Sequence, residues 1–348
     1  MHAKLLRSAL PSIQPANLLL ISFDQWRGDW GNPHQPVLRL PGLQALASEG
    51  ISASRSISAS PQCVPARLSW ITGLAPSQLG VTRNLAVTLP EDAPSLVRTL
   101  QRQGWHTALV GKTHWSSHAE PCDLRDNHGR LQALGFDQAI EVAGPRALRR
   151  VNCALTEAWA AAGWLERQRA ELERRYGGSD PSLAWQVQPS GLPLPLYPDL
   201  WIAERALELL SAMPKQQPWL LWVSFVGPHE PFDTPPPWAG RHRQITLPEP
   251  SPAAAWIEDL PPTCELRRWQ QRWAGRLSAA AIQACRADYA DHLLLLDEQL
   301  QRLSAALARR ADAAATSVLL TADHGDLLGD GGGLYKGAFL EGAIRVPW

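Results

Sequence analysis

Cysteine is scarce: Cys63, Cys122, Cys153, Cys264 and Cys285 are the only five in 348 residues. An odd, scattered set rules out a disulfide framework as the organising device and fits a reducing, cytoplasmic setting. Excess charge of either sign is missing too, with 33 basic and 33 acidic residues. No global field draws such a chain to nucleic acid or to an acidic membrane surface, so recognition of an anion has to be local. Long apolar runs are also lacking. Leu293–Leu296 is followed at once by Asp297 and Glu298, and no stretch suffices to span a bilayer. Pro11 and Pro15 interrupt residues 1–16 before an apolar core of signal length forms, so this segment reads as a short extension ahead of the first strand. Tryptophan, by contrast, is plentiful at sixteen residues, which supplies apolar area for a core and carries no function by itself.

The length allows one large α/β domain with a sizeable core. Leu18–Phe23 is an apolar run of buried-strand type, a helix pattern over Leu40–Ser48 stops at Gly50, and Ile51–Ile57 reads as the next strand. The order recurs downstream. A helix over Pro94–Gln103 precedes a strand over Trp105–Val110, an amphipathic helix over Leu200–Met213 precedes Trp219–Val226, and a long helix over Ala279–Arg309 precedes Ser317–Ala322. Such alternation implies a doubly wound, mostly parallel sheet flanked by helices. Residues 116–198 and the proline-rich 231–262 break the rhythm and read as insertions near a binding face, within one domain over 17–348.

In open α/β sheets ligands bind beyond the carboxyl ends of the strands. Here those positions hold Asp24 and Gln25, then Lys112 and His114, then His229, then Asp323 and His324. Each alone has the ordinary reading of a helix cap or a solvated loop residue; four strand ends together point to a site. Asp24, Gln25, Asp323 and His324 offer oxygen and imidazole donors suited to calcium, magnesium or manganese, with the imidazole leaning towards manganese. Between the first two strand ends lies Cys63-Val64-Pro65-Ala66-Arg67, which opens a helix over Pro65–Thr72 whose amide dipoles would help hold an anion.

That Cys-x-Pro-x-Arg segment resembles the formylglycine motif of the sulfatase family, and the resemblance extends over nearly the whole chain. Gly111-Lys112-Thr113-His114 is similar to the family's Gly-Lys-x-His element, and Gly227–Phe232 resembles its His-x-Pro-Phe loop. Tyr289–Leu300, with Asp297, resembles its long helix, and Thr321–Lys336 its Asp-His-Gly-Asp segment followed by a catalytic lysine. Gln25 stands where many members carry a second aspartate; this Asp-Gln variant is shared by choline-sulfatase-like and phosphonate-monoester-hydrolase-like branches. Asn84 matches a site asparagine in relatives with that variant.

The resemblance implies an alkaline-phosphatase-like fold and conversion of Cys63 to formylglycine by a formylglycine-generating enzyme. It implies one divalent metal on Asp24, Gln25, Cys63, Asp323 and His324, calcium first with manganese or magnesium as alternatives. A small-molecule sulfate ester would be the substrate. Arg67 and Lys112 would orient and stabilise the nucleophile, and His114 would draw a proton from its second hydroxyl. His229 and Lys336, with Asn84, would hold the substrate, one of the first two also protonating the departing alcohol. A phosphonate monoester or phosphodiester hydrolase with the same nucleophile is one alternative, and a non-catalytic, truncated member that keeps the thiol is another. Glu341–Trp348 resembles the approach to the family's last core strand, so a smaller C-terminal subdomain is expected to be missing, leaving sheet surface exposed. His118, His128, His242 and His292 match no motif and read as ordinary residues.

Overall fold

The computed structural model describes residues 17–34, 36–118 and 122–348; the extension expected over 1–16 lies outside them. Five strands form the central sheet: β1 (Asn17–Asp24), β3 (His106–Lys112), β4 (Gln138–Val142), β5 (Trp219–Pro228) and β6 (Thr316–Ala322). Their spatial order is β4-β3-β5-β1-β6, and every neighbouring pair is parallel. Two short strands, β2 (Ser56–Ile57) and β7 (Arg345–Val346), pair antiparallel in a separate ribbon.

Successive side chains of a strand face opposite sides of its sheet, and the central strands follow that rule. Leu19, Ile21 and Phe23 join Leu221, Val223 and Phe225 in one core, under the helices Pro198–Ala212 and Ala279–Ala308. Leu20, Leu109, Leu220 and Trp222 join Val64, Leu68 and Ile71 of the helix Cys63–Thr72 in the other. A strand with apolar residues at every position is what burial on both faces requires. At the edge, β6 leaves Ser317 exposed and Val318 to Leu320 half-buried.

Two strand expectations are corrected. Ile51–Ile57 is not a strand of the central sheet. Only Ser56 and Ile57 pair, in the ribbon, and Ile51 is 95 % exposed, so its branched side chain has no pleated surface to pack on. The fifth strand of the sheet, β4, lies inside 116–198, where an insertion was read; it is short and half-buried at Ala139 and Ile140, so it shows no long apolar run. The helix carrying the cysteine motif begins at Cys63 itself, two residues before Pro65.

Candidate active site

Because all five strands run the same way, their carboxyl ends share one edge of the sheet, and the sequence-predicted residues meet there. β1 and β5 stay in register up to Ser22 and Ser224 and then slip, so that Asp24 faces Pro228. Gln25 follows in a left-handed turn, φ 76°, whose carbonyl accepts from Tyr289 Oη of the long helix at 2.7 Å. On β3, Gly111 makes room for Lys112: a Cβ at that position would lie 1.8 Å from the Ser224 carbonyl oxygen.

Cys63 occupies the first turn of its helix, where backbone amides favour an anion. The Val64 amide donates to Asn84 Oδ1 at 2.9 Å, which fixes that helix start to the following loop. Cys63 Sγ lies 3.1 Å from His324 Nε2 and 3.6 Å from Asp24 Oδ1. His324 Nδ1 donates to the Gly325 carbonyl at 2.9 Å, leaving Nε2 free to act as a ligand. Donor atoms of Asp24, Cys63, Asp323 and His324 all lie within 4.8 Å of one another, and all four residues are buried. Two carboxylates, an imidazole nitrogen and a sulfur nucleophile buried within reach of one another fit a divalent cation. Gln25, expected in the same set, has its amide oxygen 2.6 Å from Lys336 Nζ, the donor in that bond.

Cations surround this core. Arg67 Nε donates to Asp323 Oδ2 at 2.6 Å, and its Nη1 donates to the Lys112 carbonyl at 2.7 Å and Ser224 Oγ at 2.9 Å. Lys112 pairs with Asp24. Burial raises the Asp24 carboxyl, but Lys112, with His229, Lys336 and Arg67, outweighs it and holds Asp24 well below the usual carboxylate range. Burial and Asp24 push the Cys63 thiol up, and Lys112, Lys336 and His324 bring it well below its ordinary value. Burial lowers Lys336, yet Cys63, Asp24 and Glu230 raise it overall, so its ammonium stays charged.

The histidines divide by environment. Burial lowers His229 to about 4, and its Nδ1 lies 2.7 Å from the Glu230 carbonyl oxygen, to which it donates as a neutral ring. Burial, then Lys112, holds His114 well below the ordinary imidazole value, and its Nδ1 has no hydrogen-bond partner among the described residues. His118, which no motif singled out, sits with its ring centroid 4.4 Å from that of His114.

A cavity of about 380 Å³ opens above Cys63, lined among others by Asn84, Lys112, His114, His229 and Lys336. Three residues at or just behind the cavity wall were not among the site residues expected from the sequence. Glu230 is buried and accepts from Gln25 Nε2 at 2.9 Å; burial raises it, but Arg146 and His229 bring it down to about 2. Arg146 pairs with Glu230 and lies against Tyr335, the third residue, with 4.8 Å from guanidinium to ring centroid. The glutamate was visible inside the His-x-Pro-Phe loop, whereas Arg146 and Tyr335 carry no local signal.

A parallel sheet flanked by helices, with metal-type donors gathered at its carboxyl edge, is the alkaline-phosphatase-like architecture that the resemblance implies. The chain belongs to the sulfatase family, whose model, Sulfatase, matches residues 16–348. Among curated relatives it is similar to an arylsulfatase of Clostridium perfringens, 26 % identical over 95 % of this chain and 67 % of the relative. It is likewise similar to a choline-sulfatase of Rhizobium meliloti, 26 % identical over 95 % of this chain and 61 % of that protein. A solved phosphonate monoester hydrolase of Agrobacterium radiobacter shares the fold with a TM-score of 0.67 at 24 % identity, covering 95 % of this chain and 67 % of that one. The chain thus spans 61–67 % of the length of the two curated relatives. Among the described residues no helix is long and apolar enough to cross a membrane.

Proposed function

We propose that this chain hydrolyses sulfate esters through a formylglycine made from Cys63. The observation that carries the reading is the position of the Cys63 side chain, buried at a helix start among Asp24, Asp323 and His324, beneath a cavity walled by Lys112, His229 and Lys336. A thiol suits repeated turnover on sulfate poorly, whereas an aldehyde hydrates to a diol with two usable hydroxyls. One hydroxyl attacks the sulfur in line with the ester oxygen; the sulfur–oxygen bond to the alcohol breaks, and the alcohol leaves with a proton. The second hydroxyl then loses its proton, its oxygen re-forms the carbonyl, and the carbon–oxygen bond to sulfate breaks. Asp24, Asp323, His324 and the group at Cys63, with Gln25 by the family resemblance, would hold a divalent cation, which would supply Lewis acidity when bound.

Side-chain environments support a division of labour. Lys336, charged and half-buried, is the better proton donor to the departing alcohol, because His229 is neutral. His229 as it stands accepts at Nε2, so donation to a sulfate oxygen needs the proton that a bound anion favours. His114, neutral and without a partner at Nδ1 among the described residues, suits removal of the second hydroxyl's proton. Arg67 and Lys112 fix the floor of the site against the two carboxylates. Asn84, on the cavity wall and bound to the helix start, is assigned to the substrate.

Calcium is proposed as the metal, with manganese or magnesium as the alternatives, and a formylglycine-generating enzyme as the partner that modifies Cys63. Five free cysteines support a reducing, cytoplasmic location. The Gln25 variant, shared by choline-sulfatase-like and phosphonate-monoester-hydrolase-like branches, is equally compatible with a second reading, a phosphonate monoester or phosphodiester as substrate. Turnover of para-nitrophenyl sulfate, para-nitrophenyl phenylphosphonate and bis(para-nitrophenyl) phosphate by modified, metal-loaded protein separates the two. The highest kcat/KM on the sulfate supports the main reading, a tenfold preference for either phosphorus ester supports the second, and no turnover of any of them contradicts both.

A further inference from the structure

The cavity wall carries cations in excess of what one sulfate group needs, and it carries no carboxylate side chain among the described residues. Lys112 and Lys336, with His114 and His229, already face the place above Cys63. Arg146 is additional. Its turn runs directly over the reactive side chains, because a Cβ at Gly144 would lie 3.4 Å from Lys112 Nζ and 3.5 Å from His114 Nε2. The Arg146 side chain is 47 % exposed, yet it is held between the rings of Tyr176 at 5.0 Å and Tyr335 at 4.8 Å. One guanidinium nitrogen pairs with the buried Glu230. A planar fork fixed at one corner and stacked on aromatic faces loses little entropy when its remaining donors take an anion.

We infer that Arg146 is a specificity-determining residue, reading a second anionic group on the substrate, a carboxylate or another sulfate or phosphate on the alcohol. The inference rests on the sulfate-ester reading of the site. The same wall disfavours an alcohol bearing a quaternary ammonium: among the described residues no acidic side chain lines it, and Arg146 covers a face of Tyr335 that would otherwise attract a cation.

Two measurements on modified, metal-loaded protein test this. The first compares kcat/KM for aryl sulfates matched in leaving group and bearing a carboxymethyl, a methyl or a trimethylammoniomethyl substituent. Wild type is expected to prefer the carboxymethyl ester to the methyl ester by about tenfold, the scale of one charge-assisted hydrogen bond, and to take the cationic ester last. Arg146→Gln brings the first ratio close to one, and Arg146→Lys keeps part of it; using a ratio cancels any general loss of activity. The second is calorimetric binding of benzenesulfonate and 3-carboxybenzenesulfonate, where the dianion binds tighter to wild type by a similar factor and loses that advantage in Arg146→Gln. If Arg146→Gln fails to fold, the wild-type ratios still decide. Turnover without anionic preference, or a preference unchanged in a folded Arg146→Gln, overturns the inference and leaves the sulfatase reading intact. Selective dianion binding without sulfate-ester turnover supports the anion subsite and removes the sulfatase reading.

Discussion

Cys63 Sγ and His324 Nε2 stand 3.1 Å apart although 261 residues separate them in the chain. The contact joins the start of a helix on one face of the sheet to the turn after β6, and Asp24 and Asp323 close the group. That geometry makes the nucleophile and the metal donors one unit, so changes to either should be felt by both.

Metal loading should therefore register as stability. Adding calcium, manganese or magnesium to chelated protein is expected to raise the melting temperature progressively with the logarithm of metal concentration, the added stability reaching roughly 2.7 kcal/mol at a hundredfold excess over Kd. Asp323→Asn should melt lower than wild type, because Arg67 loses a buried partner at 2.6 Å, and should give a much smaller metal response. Thermal melts with each ion check this; no response of wild type to any of the three contradicts the metal assignment.

Lys336→Ala should lower kcat/KM on aryl sulfates by on the order of a hundredfold or more, the usual contribution of a placed proton donor. The loss should grow as the leaving phenol becomes less acidic. Kinetics across a graded phenol series measure this, and a constant loss would assign Lys336 to holding sulfate instead.

A second titrating group lies behind the site. Burial pushes Asp233 up to about 6, and burial with Asp233 as neighbour pushes Asp288 up to about 7. Both folded values exceed the unfolded one of about 3.9. Stability from these groups is thus complete below pH about 4 and is lost as pH rises through about 6 to 7. Asp288→Asn cannot ionise, so relative to wild type its melting temperature should rise by several degrees between pH 5 and pH 8, given that ~1 kcal/mol shifts a domain by a few degrees. Parallel melting curves across that range would refute the linkage.

Asp297, on the long helix, accepts from the Gly42 and Leu43 amides at 2.9 and 2.8 Å and so caps the helix Pro41–Glu49 from outside. Asp297→Ala should cost about 1–2 kcal/mol by removing that cap. Denaturant unfolding measures it, and a change within a few tenths of a kcal/mol would show the cap to be dispensable.

Most of the fold was legible because buried parallel strands are unbroken apolar runs: β1, β3, β5 and β6 each match one expected from sequence. The misses have local causes. β4 has only five residues, two of them the polar Gln138 and Glu141, and lies among helical segments, while Ile51 belongs to a β-favouring stretch and is 95 % exposed. Site residues carried by short motifs at strand ends could be named from sequence, and Asp24, Cys63, Lys112, Asp323 and His324 come together as that placement demands. Arg146 and Tyr335 could not, because a stacked cation is a property of two loops that meet only in three dimensions. Glu230 sat inside a motif, but its burial, its pairing with Arg146 and its hold on Gln25 needed the folded chain.

The central claim is that Cys63 becomes a formylglycine, and the mass of the tryptic peptide Ser56–Arg67 tests it most directly, using protein produced beside a formylglycine-generating enzyme. The account predicts a peptide lighter by the exchange of hydrogen sulfide for an oxygen atom, trapped as a hydrazone by a carbonyl reagent. An intact thiol that alkylates fully under the same conditions would contradict it and leave a family member that binds anions without turning them over.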